Sequence, residues 1–288
     1  VRKGFYRIGI DLGGTKIHTA IARAPDDIVA EVRIPTEAHA AKGHIFENIC
    51  RSVVDVCGKA GLAPRSVTAI GIAVPGPVDY TNGVVRICPN IPSWKKVPIR
   101  DLLQDRCECP VFVENDARAA ALAEAHLGAG KGYRRVFYAT VSTGIGGGIV
   151  IDGTVWHGAH GVAGEIGQTR LPDGSVFEHT AAGPAVKRLF GIAPEEIPPR
   201  LKVGDPTARQ ALNHLTRLVG IWLANVATLL DPDLIVIGGG LSNLGALFLI
   251  PLRQMIKRCA FSESARVKVV RAKLGTRSGV IGALLLGR

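Results

Sequence analysis

The sequence predicts an α/β protein built from two related halves. Ile8–Ala22, reading IGIDLGGTKIHTAIA, runs from an apolar strand ending in an acid, through a Gly-Gly-Thr turn, directly into a second apolar strand. Val136–Ile151, reading VFYATVSTGIGGGIVI, repeats that design with a Ser-Thr-Gly turn in the other half of the chain. Strand-like runs alternate with stretches of helical period throughout, which is the pattern of mixed α/β domains and not of an all-β or all-α chain.

In order, strands are expected at Tyr6–Ile10, Ile17–Ala22 and Val29–Ile34, then a helix over Ile45–Ala60 with Ile45, Ile49, Val53, Val56 and Cys57 on one side. Val67–Val74 is almost continuously apolar, as a strand covered on both faces must be. It ends in the rigid turn Pro75-Gly76-Pro77, and a loop with Pro89-Asn90-Ile91 follows. A short strand, Pro110–Val113, stops at Glu114-Asn115-Asp116, where a helix of small residues, ARAAALAEAHL, begins. The second half gives strands at Arg134–Val141 and Ile149–Ile151, a polar loop from His157 to about Thr180, and helices at Ala185–Phe190 and Thr207–Leu230, the latter stopped by Asp231-Pro232. Leu234–Ile237 reads as a strand, Leu247–Arg258 as a helix, Val267–Arg271 as a strand and Ser278–Leu286 as a closing helix.

The two hairpins suit a phosphate. Gly13 and Gly14 let backbone N–H groups approach phosphoryl oxygens with no Cβ in the way, while Thr15 and Lys16 add a hydroxyl donor and a positive charge. Asp11 can hold Mg²⁺, directly or through water. GxxxxGK[ST] is absent around this turn, and the glycines lead into a strand and not a helix, which excludes both a Walker loop and a dinucleotide fingerprint. A tight turn with no ligand would also use these residues. The second copy at Thr143, Gly144 and Gly146, and a third strand-to-glycine junction at Gly238–Gly240, favour a nucleotide held from both sides of a cleft.

With 288 residues, 47% of them hydrophobic and 20% charged, the chain has length and apolar content for two cores of ordinary size. No apolar run reaches the roughly 18 residues that span a membrane, and VRKGFYRIGI enters a strand too early for a signal peptide, so a cytoplasmic protein is expected. The formal net charge of +11 is scattered, with no run of basic residues longer than two; a solvated basic surface that attracts anionic nucleotide accounts for it, and no nucleic-acid partner is expected. Of six cysteines only Cys107 and Cys109 are close in sequence, with no second pair to complete a zinc site, so free thiols are expected.

DLGGTK at 11–16, PGPVD at 75–79, END at 114–116, STGIGGGI at 142–149, GVAGEIG at 161–167 and IGGG at 237–240 together resemble the ROK family of sugar kinases and related repressors, within the actin/hexokinase-like superfamily. The resemblance covers essentially the whole chain. It implies two actin-like (ribonuclease H-like) α/β domains with a cleft between them, a smaller one from 1–116 plus about 275–288 and a larger one from 117–274, usually paired as a homodimer. It implies an ATP-dependent, Mg²⁺-requiring transfer of phosphate to a hexose or amino sugar, with Asp116 as general base. A structural reading of Asp116 is a helix N-cap, and the two are compatible. By the same resemblance Gly76, Asn90, Asn115, Glu165 and Glu178 bind the sugar, while Asp11, Gly13, Gly14, Thr15, Lys16, Thr143, Gly144, Gly146, Gly239 and Gly240 bind the nucleotide. Glucose is the most frequent substrate among kinases with these motifs; fructose, mannose, allose and N-acetylmannosamine kinases share them, and a sugar-binding pseudokinase would too. Repressors of the family carry a DNA-binding helix-turn-helix ahead of the kinase-like part, and DLGGTK beginning at residue 11 favours a kinase.

One departure from the pattern stands out. In most of the family GExG is followed by His and a CxCGxxGC hairpin, and that His with three Cys holds a structural zinc ahead of the second sugar-binding acid. Here Gln168 takes the His position, facing the sugar with an amide, and no cysteine lies between Cys109 and Cys259. His157, His160 and His179 are read as polar loop residues and not as replacement ligands. No zinc is expected. The purified protein should carry no stoichiometric zinc by elemental analysis and keep its melting temperature in a strong chelator; one equivalent of zinc, lost with stability on chelation, would return those three histidines to consideration.

Overall fold

The computed structural model describes residues 5–287. The chain forms two compact units: one contains the chain up to Ala123, His157–Val162 and the chain from Thr276, and the other contains Glu124–Trp156 and Ala163–Gly275. The short excursion His157–Val162 has no counterpart in the sequence reading.

The first unit opens with β1 (Tyr6–Leu12), β2 (Lys16–Ala24) and β3 (Asp27–Pro35), an antiparallel meander, followed by α1 (Lys42–Lys59) and β4 (Val67–Val74). A small three-stranded sheet of β5 (Val78–Asp79), β6 (Val84–Ile87) and β7 (Lys95–Val97), then α2 (Ile99–Cys107), precede β8 (Val111–Asn115) and α3 (Asp116–Leu127). The main sheet has the order β3-β2-β1-β4-β8, with β1, β4 and β8 parallel. Alternation along the strands sorts the faces. Ile8, Ile10, Ile70, Ile72 and Val74 join the buried core with Ile45, Ile49, Val53 and Val56 of α1, the helix side expected from period.

The second unit repeats this plan. Its strands β9 (Arg135–Val141), β10 (Ile145–Ile151) and β11 (Thr154–Val155) again form an antiparallel meander. The helices α4 (Phe177–Ala181), α5 (Gly183–Phe190), α6 (Ile197–Lys202) and α7 (Pro206–Leu230) lead to β12 (Leu234–Gly238), α8 (Ala246–Cys259) and β13 (Lys268–Arg271). The sheet order is β11-β10-β9-β12-β13, with β9, β12 and β13 parallel, the same connectivity as the first. In α7, Pro206 opens the helix and Asp205 caps it by accepting from the Thr207 N–H at 2.8 Å. Leu215, Val219 and Leu223 of α7 are buried with Phe137, Ile235 and Ile237 of the sheet, each such side chain contributing roughly 1.5–3 kcal/mol.

Two expectations are corrected. The strand expected at Ile149–Ile151 begins at Ile145, because β10 pairs with β9 without interruption from Ile145 opposite Val141 to Ile151 opposite Arg135; Gly146–Gly148 are ladder residues and the turn is confined to Ser142–Gly144. The polar loop His157–Thr180 contains a 3-10 turn, Ile166–Gln168, and the start of α4. Among the described residues no helix is long and apolar enough to cross a membrane.

The chain finally returns to the first unit as α9 (Ser278–Leu285), which lies on the face of the first sheet opposite α1. Small residues make this possible. A Cβ placed on Gly71 of β4 would lie 1.9 Å from the Ala283 carbonyl oxygen, and one on Gly282 of α9 would lie 1.9 Å from that of Ala119 in α3. Backbone therefore meets backbone along a seam lined by Ala73, Ala119 and Ala283. Gly282→Ala should lower the stability of the protein by about 2 kcal/mol or more in urea denaturation, the scale of overpacking a closed core. An unchanged midpoint would mean the seam has slack.

Candidate active site

In the first unit the candidate residues gather where β1, β4 and β8 end. The turn after β1 is closed by the Gly13 N–H donating to the Lys16 carbonyl at 3.0 Å. It is braced by Thr36, whose N–H donates to the Thr15 carbonyl at 3.1 Å and whose hydroxyl donates to the Gly13 carbonyl at 2.6 Å. Thr15 and Lys16 are exposed. Asn90 packs directly on the turn, since a Cβ on Gly14 would come within 2.7 Å of its side chain. After β4, Gly76 takes φ +85°, with Ile87 and Pro89 where a Cβ would lie, so only glycine fits the turn. Its carbonyl accepts from the Asn115 side-chain amide at 3.1 Å.

The junction of β8 and α3 is the most densely bonded part of this group. The Asn115 side-chain oxygen accepts from the N–H groups of Ala117 and Arg118, at 3.0 and 3.1 Å. Asn115, and not Asp116, is therefore the N-cap, and Asp116 occupies the first helical position, where its carboxylate accepts from the Ala117 N–H and the Asn115 amide. The preceding Glu114 is buried; it accepts from the Asn115 N–H at 2.8 Å, from Arg118 Nε at 2.9 Å and from His157 Nε2 at 2.6 Å. His157 stacks on Tyr80 with ring centroids 3.7 Å apart, and Arg118 donates onward to the Gly161 carbonyl. Nothing local in the sequence points to His157, which lies far from Glu114 along the chain.

Asp11 is on the face of β1 that meets α9, and its carboxylate lies 2.5 Å from where a Gly279 Cβ would be. Burial pushes its carboxyl up from the ordinary 3.8 to about 7; the charge of Asp116 adds to this and Lys16 opposes it. Two mutually repelling carboxylates, one of them half-buried, are a donor set that suits a hard divalent cation. Mg²⁺ is commonly held by one or two carboxylates together with phosphate oxygens and water. Among the described residues there is no group of three or more His, Cys, Asp or Glu arranged to hold a metal ion.

In the second unit the matching turn, Ser142–Gly144, borders a cavity of about 610 Å³ lined by Thr143, Gly183, Lys187, Pro194, Gly240 and Leu241 among others. That volume is in the range of small-molecule sites. Gly240 lies two residues past the end of β12, and a Cβ on it would lie 3.2 Å from the Ser142 hydroxyl. Gly239 takes φ +78° against Val141 and Thr140, and Gly146 is within β10. Glu178 of α4 reaches the turn, accepting from the Ile145 N–H at 2.6 Å, with its carboxylate 2.7 Å from where a Gly144 Cβ would be. Glu165 is half-buried ahead of the 3-10 turn, its carbonyl accepting from the Gln168 N–H at 3.2 Å, and Gln168 is exposed at the end of that turn. Each glycine turn thus packs on a residue brought forward from the sequence as a sugar ligand, Gly14 on Asn90 and Gly144 on Glu178. Residues 169–177, where the family's hairpin would lie, form a tight reversal with Arg170 bridged to Val176.

Two units of identical strand order, each with a glycine turn between its first two strands, define the actin-like two-domain fold. A model of the ROK family matches residues 7–288, and the chain belongs to that family. A glucokinase of Streptomyces coelicolor is 33% identical over 98% of this chain and 97% of its own length. A ROK hexokinase of Thermus thermophilus superposes with a TM-score of 0.84 at 35% identity, covering 98% of this chain and 97% of its own. A ROK glucokinase of Streptomyces griseus, solved with glucose and AMPPNP, superposes with a TM-score of 0.81 at 33% identity, covering 97% and 98%.

The raised Asp11 carboxyl has a consequence for stability. Its native form holds a proton more tightly than the unfolded chain does, so the stability it allows is complete below the unfolded value of 3.8 and is lost as pH rises through about 7. In buffer free of nucleotide and divalent cations, Asp11→Asn should therefore be more stable than the parent at pH 8, by an amount on the order of 4 kcal/mol if the full shift is expressed. The difference should shrink as pH falls toward 4. A difference independent of pH in thermal melts would mean that Asp11 does not carry this penalty.

Proposed function

We propose that the protein is an ATP-dependent kinase for a hexose or N-acetyl amino sugar, glucokinase-like in its motifs, with Asp116 as general base. The observation that carries the reading is the pair of glycine turns, one in each unit, each packed on a residue suited to sugar hydroxyls. A sugar hydroxyl is a poor nucleophile, and a carboxylate within hydrogen-bond reach accepts its proton as the oxygen attacks the γ-phosphorus of ATP. The Ala117 N–H and the Asn115 amide both donate to Asp116 and fix its direction at the start of α3.

On the same reading, Asn115, Asn90 and the Gly76 turn present amide and carbonyl groups to the sugar, and Glu165 and Glu178 accept from its hydroxyls. A sugar lacking one of those hydroxyls would leave a buried acceptor unpaired, which is how such a site discriminates. The Gly13–Lys16 turn, Thr143, Gly144 and the glycines at 239 and 240 bind phosphates through backbone N–H groups, and the apolar walls at Pro194 and Leu241 receive the base of the nucleotide. Asp11 would hold Mg²⁺, directly or through water. When bound, the ion would neutralise charge on the phosphoryl oxygens.

ADP release measured across a panel of hexoses and N-acetyl amino sugars tests the reading and identifies the substrate. Absence of turnover with every sugar, alongside measurable sugar binding, would replace it with a sugar-binding pseudokinase. On the best substrate, Asp116→Asn should lower kcat by at least ~100-fold while sugar affinity changes little. Near-normal turnover in that variant would remove Asp116 from the role of base.

A further inference from the structure

We propose that Trp222 is a positioning residue for Glu178, clamping the short loop that carries it without a metal. The inference rests on the kinase reading for its effect on sugar binding, and on geometry alone for the clamp. Trp222 lies midway along α7, half-buried, with its ring stacked on Phe177 at 5.3 Å between centroids and 17° between planes. Phe177 is 1% exposed and is the residue immediately before Glu178. The same indole donates from Nε1 to the Thr169 hydroxyl at 3.0 Å, at the other end of the reversal. Thr169 and Phe177 are also joined directly, the Phe177 N–H donating to the Thr169 carbonyl at 2.9 Å.

One side chain thus grips both legs of the loop where they close. Two turns earlier on the same face of α7, His214 donates to the Thr180 carbonyl at 3.0 Å and holds the segment just past Glu178. Glu178 itself is tied to the Ile145 N–H, so the clamp fixes the carboxylate against the phosphate turn as well as against the helix. The tip of the loop closes on itself, with the Leu171 N–H donating to the Ser175 carbonyl at 2.9 Å and Asp173 accepting from the Ser175 N–H at 2.9 Å, and the clamp acts at its base. Stacking is the larger part of the clamp, because the ring buries a broad apolar area. The hydrogen bond to Thr169 is open to water, which can replace it.

The variants follow from that division. Trp222→Ala should raise the KM for sugar by roughly 10-fold or more, with kcat and the KM for ATP changed far less, because it displaces a binding carboxylate and not the base. Trp222→Phe keeps a ring on Phe177 and should return sugar KM to within about threefold of the parent, and Thr169→Val, which loses only the hydrogen bond, should also stay within about threefold. A second readout needs no activity. Arg170 is exposed within the clamped loop, so trypsin cleavage after it, followed by fragment mass, should accelerate strongly in Trp222→Ala and little in Trp222→Phe. Failure of the parent to phosphorylate any sugar would count against the kinase reading, with the clamp still read by proteolysis. If folded Trp222→Ala shows unchanged cleavage at Arg170, the clamp is refuted; if cleavage accelerates and sugar KM does not move, its role in positioning Glu178 is refuted.

Discussion

The hydrogen bonds at the junction of β8 and α3 are what the first half of the site depends on. A strand that ends in a helix must satisfy the helix's first N–H groups, and here Asn115 does so with its side-chain oxygen while its amide reaches the Gly76 turn and Asp116. The cap therefore sets the spacing between the end of β4 and the end of β8, and with it the place of the carboxylate that begins α3. Beneath it Glu114 is buried with three donors around it, one from the backbone, one from Arg118 and one from His157. A buried carboxylate so satisfied is a rigid support, whereas one left short of partners would cost more than the fold could spare. The excursion His157–Val162 is held to the first unit through the same group, by His157 on Glu114 and by Arg118 on the Gly161 carbonyl.

Much of this was legible in the residues because it is local. The glycine turns, the run of apolar residues in β4, the period of α1 and the Asp-Pro stop after α7 are all properties of short windows, and the structure has strands and helices there. Elements that escaped are those whose stability comes from elsewhere in the chain. The strands β5–β7 have two to four residues each, and α2, α4 and α6 are short helices that form against surfaces already in place. Within the site, sequence brought forward Asn115 and Asp116 but read Asp116 as the cap, whereas Asn115 caps the helix, since both residue types suit that position. Tyr80, His157 and Trp222 were not legible at all. Tyr80 stacks on His157, His157 meets Glu114, and Trp222 meets Phe177 and Thr169; no spacing rule connects residues that meet only through tertiary packing.

Glycine and alanine serve two distinct purposes in this chain, and composition alone does not separate them. At the hairpins, a missing Cβ lets Asn90 pack on Gly14 and the Glu178 carboxylate on Gly144. On β4 and α9 it lets a helix lie against a sheet at backbone distance, with carbonyl oxygens where side chains would otherwise be. The second use bears on the first: α9 approaches β1 closely enough that Gly279 borders the Asp11 carboxylate. Close packing at one end of the seam and an acidic group at the other are consequences of one arrangement.

That arrangement makes Asp11 an expensive residue to keep. Desolvation under α9 and the neighbouring charge of Asp116 both disfavour its ionised form, and Lys16 offsets only part of that. On the proposed reading, a divalent cation bound with the nucleotide would supply the positive charge that the ionised form lacks. Stability and ligand binding then oppose each other in the free protein and agree in the bound one, because anything that binds the ionised Asp11 removes the penalty and adds its own binding energy to folding.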